Sequence, residues 1–117
     1  MTKITFFKRN GRYYGFEEKG HAGFAEEGND IVCSALSAMT MLIVNTIEVA
    51  YASDVQYSID EKTTDIKVTA YGALPEFEAD ERKNFAISGL IEGYYLQINE
   101  LLEDYYDYLD VDEIDEG

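Results

Sequence analysis

His21 and Cys33 are the only histidine and the only cysteine in this 117-residue chain. A glycine-rich segment, Gly20-His21-Ala22-Gly23-Phe24-Ala25-Glu26-Glu27-Gly28-Asn29-Asp30-Ile31-Val32-Cys33, joins them and runs into an apolar stretch with the composition of a helix. A thiol at a helix start, with an imidazole on the loop leading into it, is what a cysteine nucleophile and its general base require. Asp30 is placed to cap that helix, which puts Cys33 in the first turn. Unpaired backbone amides and the positive end of the helix dipole favour an anion there. The position lowers a thiol pKa from its usual value of about 8.5 toward neutrality. A protonated His21 nearby would lower it further. The same amides, that of Cys33 included, could hold the oxyanion formed when the thiolate attacks a carbonyl. These residues read as a small thiol hydrolase, in the first instance a protease.

The neighbours fit that chemistry. Gly20, Gly23 and Gly28 allow the loop to approach a substrate closely or to hinge. Ser34, Ala35, Ser37 and Ala38 keep the helix start slender. Ser37 lies one turn beyond Cys33 on the same face, within reach of the thiol or of a substrate backbone. Asp30 could orient His21 as well as cap the helix. The competing reading of Cys33 is an inert core thiol, and that of His21 a solvated loop side chain. Spacing alone does not separate the two, because the fold and not sequence distance brings catalytic partners together.

Other chemistries lack their parts. One His and one Cys without ligand spacing make a poor zinc site, and no C-x-x-C is present for disulfide exchange. No glycine loop carries the Lys and Ser/Thr that phosphate binding needs. We expect neither metal nor organic cofactor.

The chain is expected to be one domain, 1–117, with an acidic tail from about residue 110. Apolar residues make up 46% of it, enough for a globular core. A lone cysteine suits a reducing cytoplasm, and no N-terminal signal pattern is present. The stretch from Ile31 to Ala52 is interrupted by polar residues and reads as a buried core helix, not a membrane span. The formal net charge of −15 argues against nucleic acid and favours a basic partner or simple solubility. After Lys83 there is no Lys or Arg, while Asp and Glu accumulate to the end. That run reads as a solvated helix end and tail, or as an attractor for a cationic substrate.

The elements that must position the pair follow from periodicity. Thr2 to Arg9 and Arg12 to Glu17 read as strands joined by the hairpin turn Asn10-Gly11. The loop from Glu18 to Asn29 follows, then a helix of about five turns from Asp30 to near Ala52. Val55 to Asp60 and Asp65 to Ala70 alternate as a second hairpin with one buried face. Ile87, Leu90, Ile91, Tyr94, Ile98, Leu101, Leu102 and Tyr105 mark a helix from about Asp80 to Leu109. The expected fold is α+β, in the order ββαββα, with a four-stranded, mostly antiparallel sheet carrying two helices. Gly89 and Gly93 form a notch that either packs against the first helix or meets another chain across a dimer axis. Tyr94, Tyr95, Tyr105, Tyr106 and Tyr108 exceed what one helical stripe can bury, so some are expected at an interface.

Gly20-His21-Ala22, Asp30-Ile31-Val32-Cys33 and Ser37 together closely resemble the bacterial ribosomal-processing cysteine proteases known as Prp. The resemblance spans essentially the whole chain. It implies a cytoplasmic homodimer that removes the N-terminal extension of large-subunit ribosomal protein number twenty-seven before ribosome assembly. By position it makes Cys33 the nucleophile, His21 the general acid/base, Gly20 a loop hinge, and Asp30 and Ser37 supporting residues. The implied substrate has an apolar, aromatic-containing extension and a basic body, which the acidic surface would steer. Direct nucleic-acid or membrane partners are not expected. The rival from another class is a non-catalytic acidic adaptor or chaperone for basic ribosomal proteins, with Cys33 as core filler.

Overall fold

The structure is a computed structural model that describes residues 1–20, 27–60, 62–63 and 65–117. Strand β1, Thr2–Arg9, turns through Asn10 and Gly11 into β2, Arg12–Lys19. Both turn residues are left-handed, with φ of 50° and 78°, the geometry of a two-residue hairpin that matches strand twist. A bulge between Phe7 and Lys8 shifts the register, and Tyr13 and Tyr14 are both buried. Tyr13 stacks on Tyr95 at 5.7 Å and Tyr14 on Tyr71 at 6.0 Å.

Helix α1, Glu27–Asn45, continues into a π-helical turn, Thr46–Ala50. Its start overturns one expectation: Asp30 is not the cap but lies inside the first turn. The helix is also less buried than its apolar composition implied. Val32, Leu36, Ile43, Val44 and Ile47 pack into the core, while Ile31, Leu42 and Val49 face outward.

Strands β3, Gln56–Ile59, and β4, Ile66–Thr69, pair antiparallel as expected. Of the two, only β4 contributes buried side chains, Ile66 and Val68, because β3 is the outer edge of the sheet and its four residues are exposed. Helix α2 runs from Glu81 to Tyr105, capped by Asp80, whose carboxylate accepts from the Arg82 amide at 2.9 Å. Asn84 ties the entry to this helix by donating to the carbonyls of Gly72 at 2.8 Å and Glu78 at 3.1 Å.

The acidic C-terminal segment is a strand rather than a tail. Leu109–Asp115 forms β5, parallel to β1, with Leu109 buried and Val111 half-buried. The sheet therefore has five strands, not four, in the order β3-β4-β2-β1-β5, with one parallel pair. Leu109 and Val111 alternate with Asp110 and Asp112 at strand spacing, but the charge run masks the pattern. The core joins Ile4, Phe6, Phe16 and Val68 of the sheet to the buried stripes of α1 and of α2, the latter Ile87, Ile91, Tyr94 and Ile98.

Candidate active site

Cys33 is the seventh residue of α1, in its second turn. An amide at that depth in an α-helix bonds to the carbonyl four residues back. The Cys33 amide therefore lies within the ladder and is not available as an oxyanion donor in this helix. The dipole effect also fades beyond the first turn. The thiol sits beside the buried stripe, next to Val32 in sequence, and is half-buried while Ser34 and Ser37 are exposed. It stands at the border between core and solvent. Ser37 follows one helical turn later, as the spacing requires.

His21 lies outside the described residues. Gly20, the last described residue before it, is left-handed with φ of 86°. A β-carbon there would lie 2.5 Å from the Met1 carbonyl oxygen. The Gly20 amide donates to Asp65 Oδ1 at 3.3 Å, so the base of the loop is anchored beside β4. Asp30 belongs to the helical backbone of α1; the geometry of its side chain lies outside the described residues. Among the described residues, no group of three His, Cys, Asp or Glu side chains is arranged to hold a metal ion.

One titratable residue in this region was missed by sequence reasoning. Glu18, near the end of β2, is wholly buried. Its Oε1 accepts from Thr40 Oγ1 of α1 at 2.9 Å and from the Tyr94 hydroxyl of α2. Burial raises its pKa, against the lowering effect of the Tyr94 and Thr40 hydrogen bonds. Burial also raises the Tyr94 phenol, with the neighbouring Glu18 adding to the shift. The signal was the strand alternation itself, since Glu18 follows the inward Phe16 by two positions.

Two surface features complete the region. An apolar groove of about 260 Å³ runs between α1 and α2, with Met39, Leu42 and Ile43 on one side and Gly89, Leu90 and Gly93 on the other. Nothing lies within 4 Å of where β-carbons would stand at Gly89 and Gly93, so α1 does not fill the notch. The favoured expectation of close packing against the first helix is corrected accordingly. Of the tyrosines, Tyr94 and Tyr95 pack around Phe6, whereas Tyr106 is exposed. Asp110, Asp112, Asp115 and Glu116 are exposed on and beyond β5.

Comparison with known proteins places the arrangement among relatives. The family model described as cysteine protease Prp matches residues 1–110. The ribosomal processing cysteine protease Prp of Bacillus subtilis (strain 168) is 33% identical over 96 residues, covering 82% of this chain and 81% of the relative. The crystal structure of SMU.848 from Streptococcus mutans superposes with a TM-score of 0.80 at 28% identity, covering 99% of both chains. An essential ribosomal processing protease Prp from S. aureus, in complex with a substrate peptide, shares the fold with a TM-score of 0.78. It is 16% identical, with 97% of this chain and 100% of that chain covered.

Proposed function

The chain belongs to the Prp family of cysteine proteases, and from that premise we propose that it is a cysteine endopeptidase with a Cys33–His21 dyad. Its substrate in this reading is large-subunit ribosomal protein number twenty-seven, whose N-terminal extension it removes before ribosome assembly. The observation that carries the reading is the half-buried Cys33 thiol, beside the core stripe of α1 and one turn before the exposed Ser37. A thiol at that border can stay dry enough to be selective and open enough to meet a peptide.

In the proposed reaction His21 takes the Cys33 proton, and the thiolate attacks the scissile carbonyl. The tetrahedral oxyanion needs backbone donors, and the Cys33 amide, inside the ladder of α1, is not one of them. His21 returns the proton to the leaving amine as the C–N bond breaks. Water then attacks the thioester, giving its proton to His21, and the released thiolate regenerates the dyad. Gly20 is the hinge of the loop in this reading, and Asp30 and Ser37 are supporting residues.

The protein acts in the cytoplasm as a homodimer in this reading. The open apolar groove between α1 and α2, with Leu42 at its lip 56% exposed, supports a second copy at that face. Sedimentation of Leu42→Glu should show a monomer; an unchanged dimer removes that face from the interface. The exposed carboxylates of β5 suit a basic substrate, and they would equally suit a non-catalytic adaptor for basic ribosomal proteins. Cys33→Ala and Cys33→Ser separate the two when each is mixed with the precursor and followed by mass spectrometry. Loss of the cleaved product in both supports the protease; cleavage at the parental rate in either refutes it.

A further inference from the structure

We propose that Glu18 is a positioning residue for the thiol site, a buried carboxyl that ties the end of the strand leading to His21 to the helix carrying Cys33. The inference rests on the protease reading above. Glu18 precedes Gly20 by two residues and His21 by three, so its strand end sets where the loop departs. Thr40, which donates to Glu18 Oε1 at 2.9 Å, is seven residues beyond Cys33, two turns along one face of α1. The Tyr94 hydroxyl reaches the same oxygen from α2 and lies 3.4 Å from the Leu36 carbonyl of α1. One carboxyl thus joins three elements, two of which feed the proposed dyad.

Burial favours the neutral acid here, against the two hydroxyl hydrogen bonds, which favour the carboxylate. Oε2 has no hydrogen-bond partner among the described residues. Tyr94 is the titratable group facing Glu18 from α2, Thr40 of α1 is uncharged, and the cross-strand neighbours Ile4 of β1 and Ile66 of β4 are apolar. A charge there would be buried without a cation among the described residues, which is costly. An apolar side chain of similar volume would fill the space but leave the Thr40 and Tyr94 hydroxyls without an acceptor. What an apolar side chain cannot do is fix the offset between β2 and α1. Misplacement of reacting groups by about 1 Å can cost roughly 100-fold in rate.

The test compares the full-length parent with Glu18→Leu and Glu18→Gln, measuring kcat and KM on the precursor ribosomal protein across pH, together with thermal unfolding. Glu18→Leu leaves the Thr40 and Tyr94 hydroxyls without their shared acceptor, so its midpoint should fall, and it should lose kcat by roughly 10- to 100-fold with KM little changed. Glu18→Gln, whose amide oxygen can still accept from both hydroxyls, should keep kcat near the parental value. A folded Glu18→Leu with parental kcat overturns the proposal, as does a Glu18→Gln that loses as much kcat as Glu18→Leu. If Glu18→Leu does not fold, Thr40→Val and Tyr94→Phe each remove one hydroxyl; parental kcat in both is equally fatal. An inert parent would refute the protease reading and this inference with it, whereas an active parent with an equally active Glu18→Leu refutes only the inference.

Discussion

Gly20 and Met1 approach so closely that a β-carbon on Gly20 would stand 2.5 Å from the Met1 carbonyl oxygen, a separation real β-carbons essentially never show. The left-handed φ of Gly20 adds a second bar to any side chain. Gly11, also left-handed, has open space around it. Alanine at Gly11 should therefore cost only the backbone term, about 1–2 kcal/mol. Alanine at Gly20 should cost more, because the β1 end must also move. Urea unfolding of the two variants side by side measures this, and equal losses would show that the Met1 contact has no weight.

The thiolate cannot owe much to the helix dipole, because Cys33 lies in the second turn of α1. In the proposed dyad its activation falls to His21. The parent should be alkylated by iodoacetamide with a pH midpoint well below the usual thiol value of about 8.5. His21→Ala should move the midpoint up toward that value. Superimposable curves would remove His21 from the dyad.

Glu18 also sets a pH dependence of stability. Its pKa is raised in the fold by burial, so the folded state holds its proton where the unfolded chain has lost it. The contribution is complete below the ordinary carboxyl value of 4.5 and declines as pH rises until Glu18 ionises within the fold. Glu18→Gln lacks that decline. The stability difference between variant and parent should grow in favour of the variant from pH 4.5 upward. Denaturant midpoints across that range test it, and a constant difference would count against a raised Glu18.

Strand β5 should matter to the fold in spite of its charge. Leu109 is 1% exposed and Ile114 45% exposed. Leu109→Ala should cost about 2–4 kcal/mol by leaving a cavity beside β1. Ile114→Ala should cost about 0.5 kcal/mol or less, as a surface change. Chemical denaturation of both distinguishes a structural strand from a dispensable tail, which would show two small and similar values.

Much of the fold could be read from local pattern. Asn10-Gly11 specifies its own hairpin, because only residues tolerant of positive φ complete that turn. The α2 stripe through Ile87, Ile91, Tyr94 and Ile98 declares its buried face by spacing alone. The motif residues from Gly20 to Ser37 stand out by chemistry, whatever surrounds them.

Distant parts of the chain decided the rest. The run from Leu109 to Asp115 is acidic enough to read as solvent-borne, and becomes a strand because β1, more than 100 residues earlier, offers it a parallel edge. Helix α1 already includes Glu27, which leaves Asp30 inside the helix and the Cys33 amide within its hydrogen-bonded ladder. Strand alternation places Glu18 on the inward face, but only the closure of α1 and α2 over it supplies its hydrogen-bond partners and changes its proton affinity. Residue type and short-range periodicity determine which groups can react and which faces are apolar. Where each strand pairs, how deep a thiol sits and which carboxyl is buried depend on long-range contacts, whose energies no local window contains.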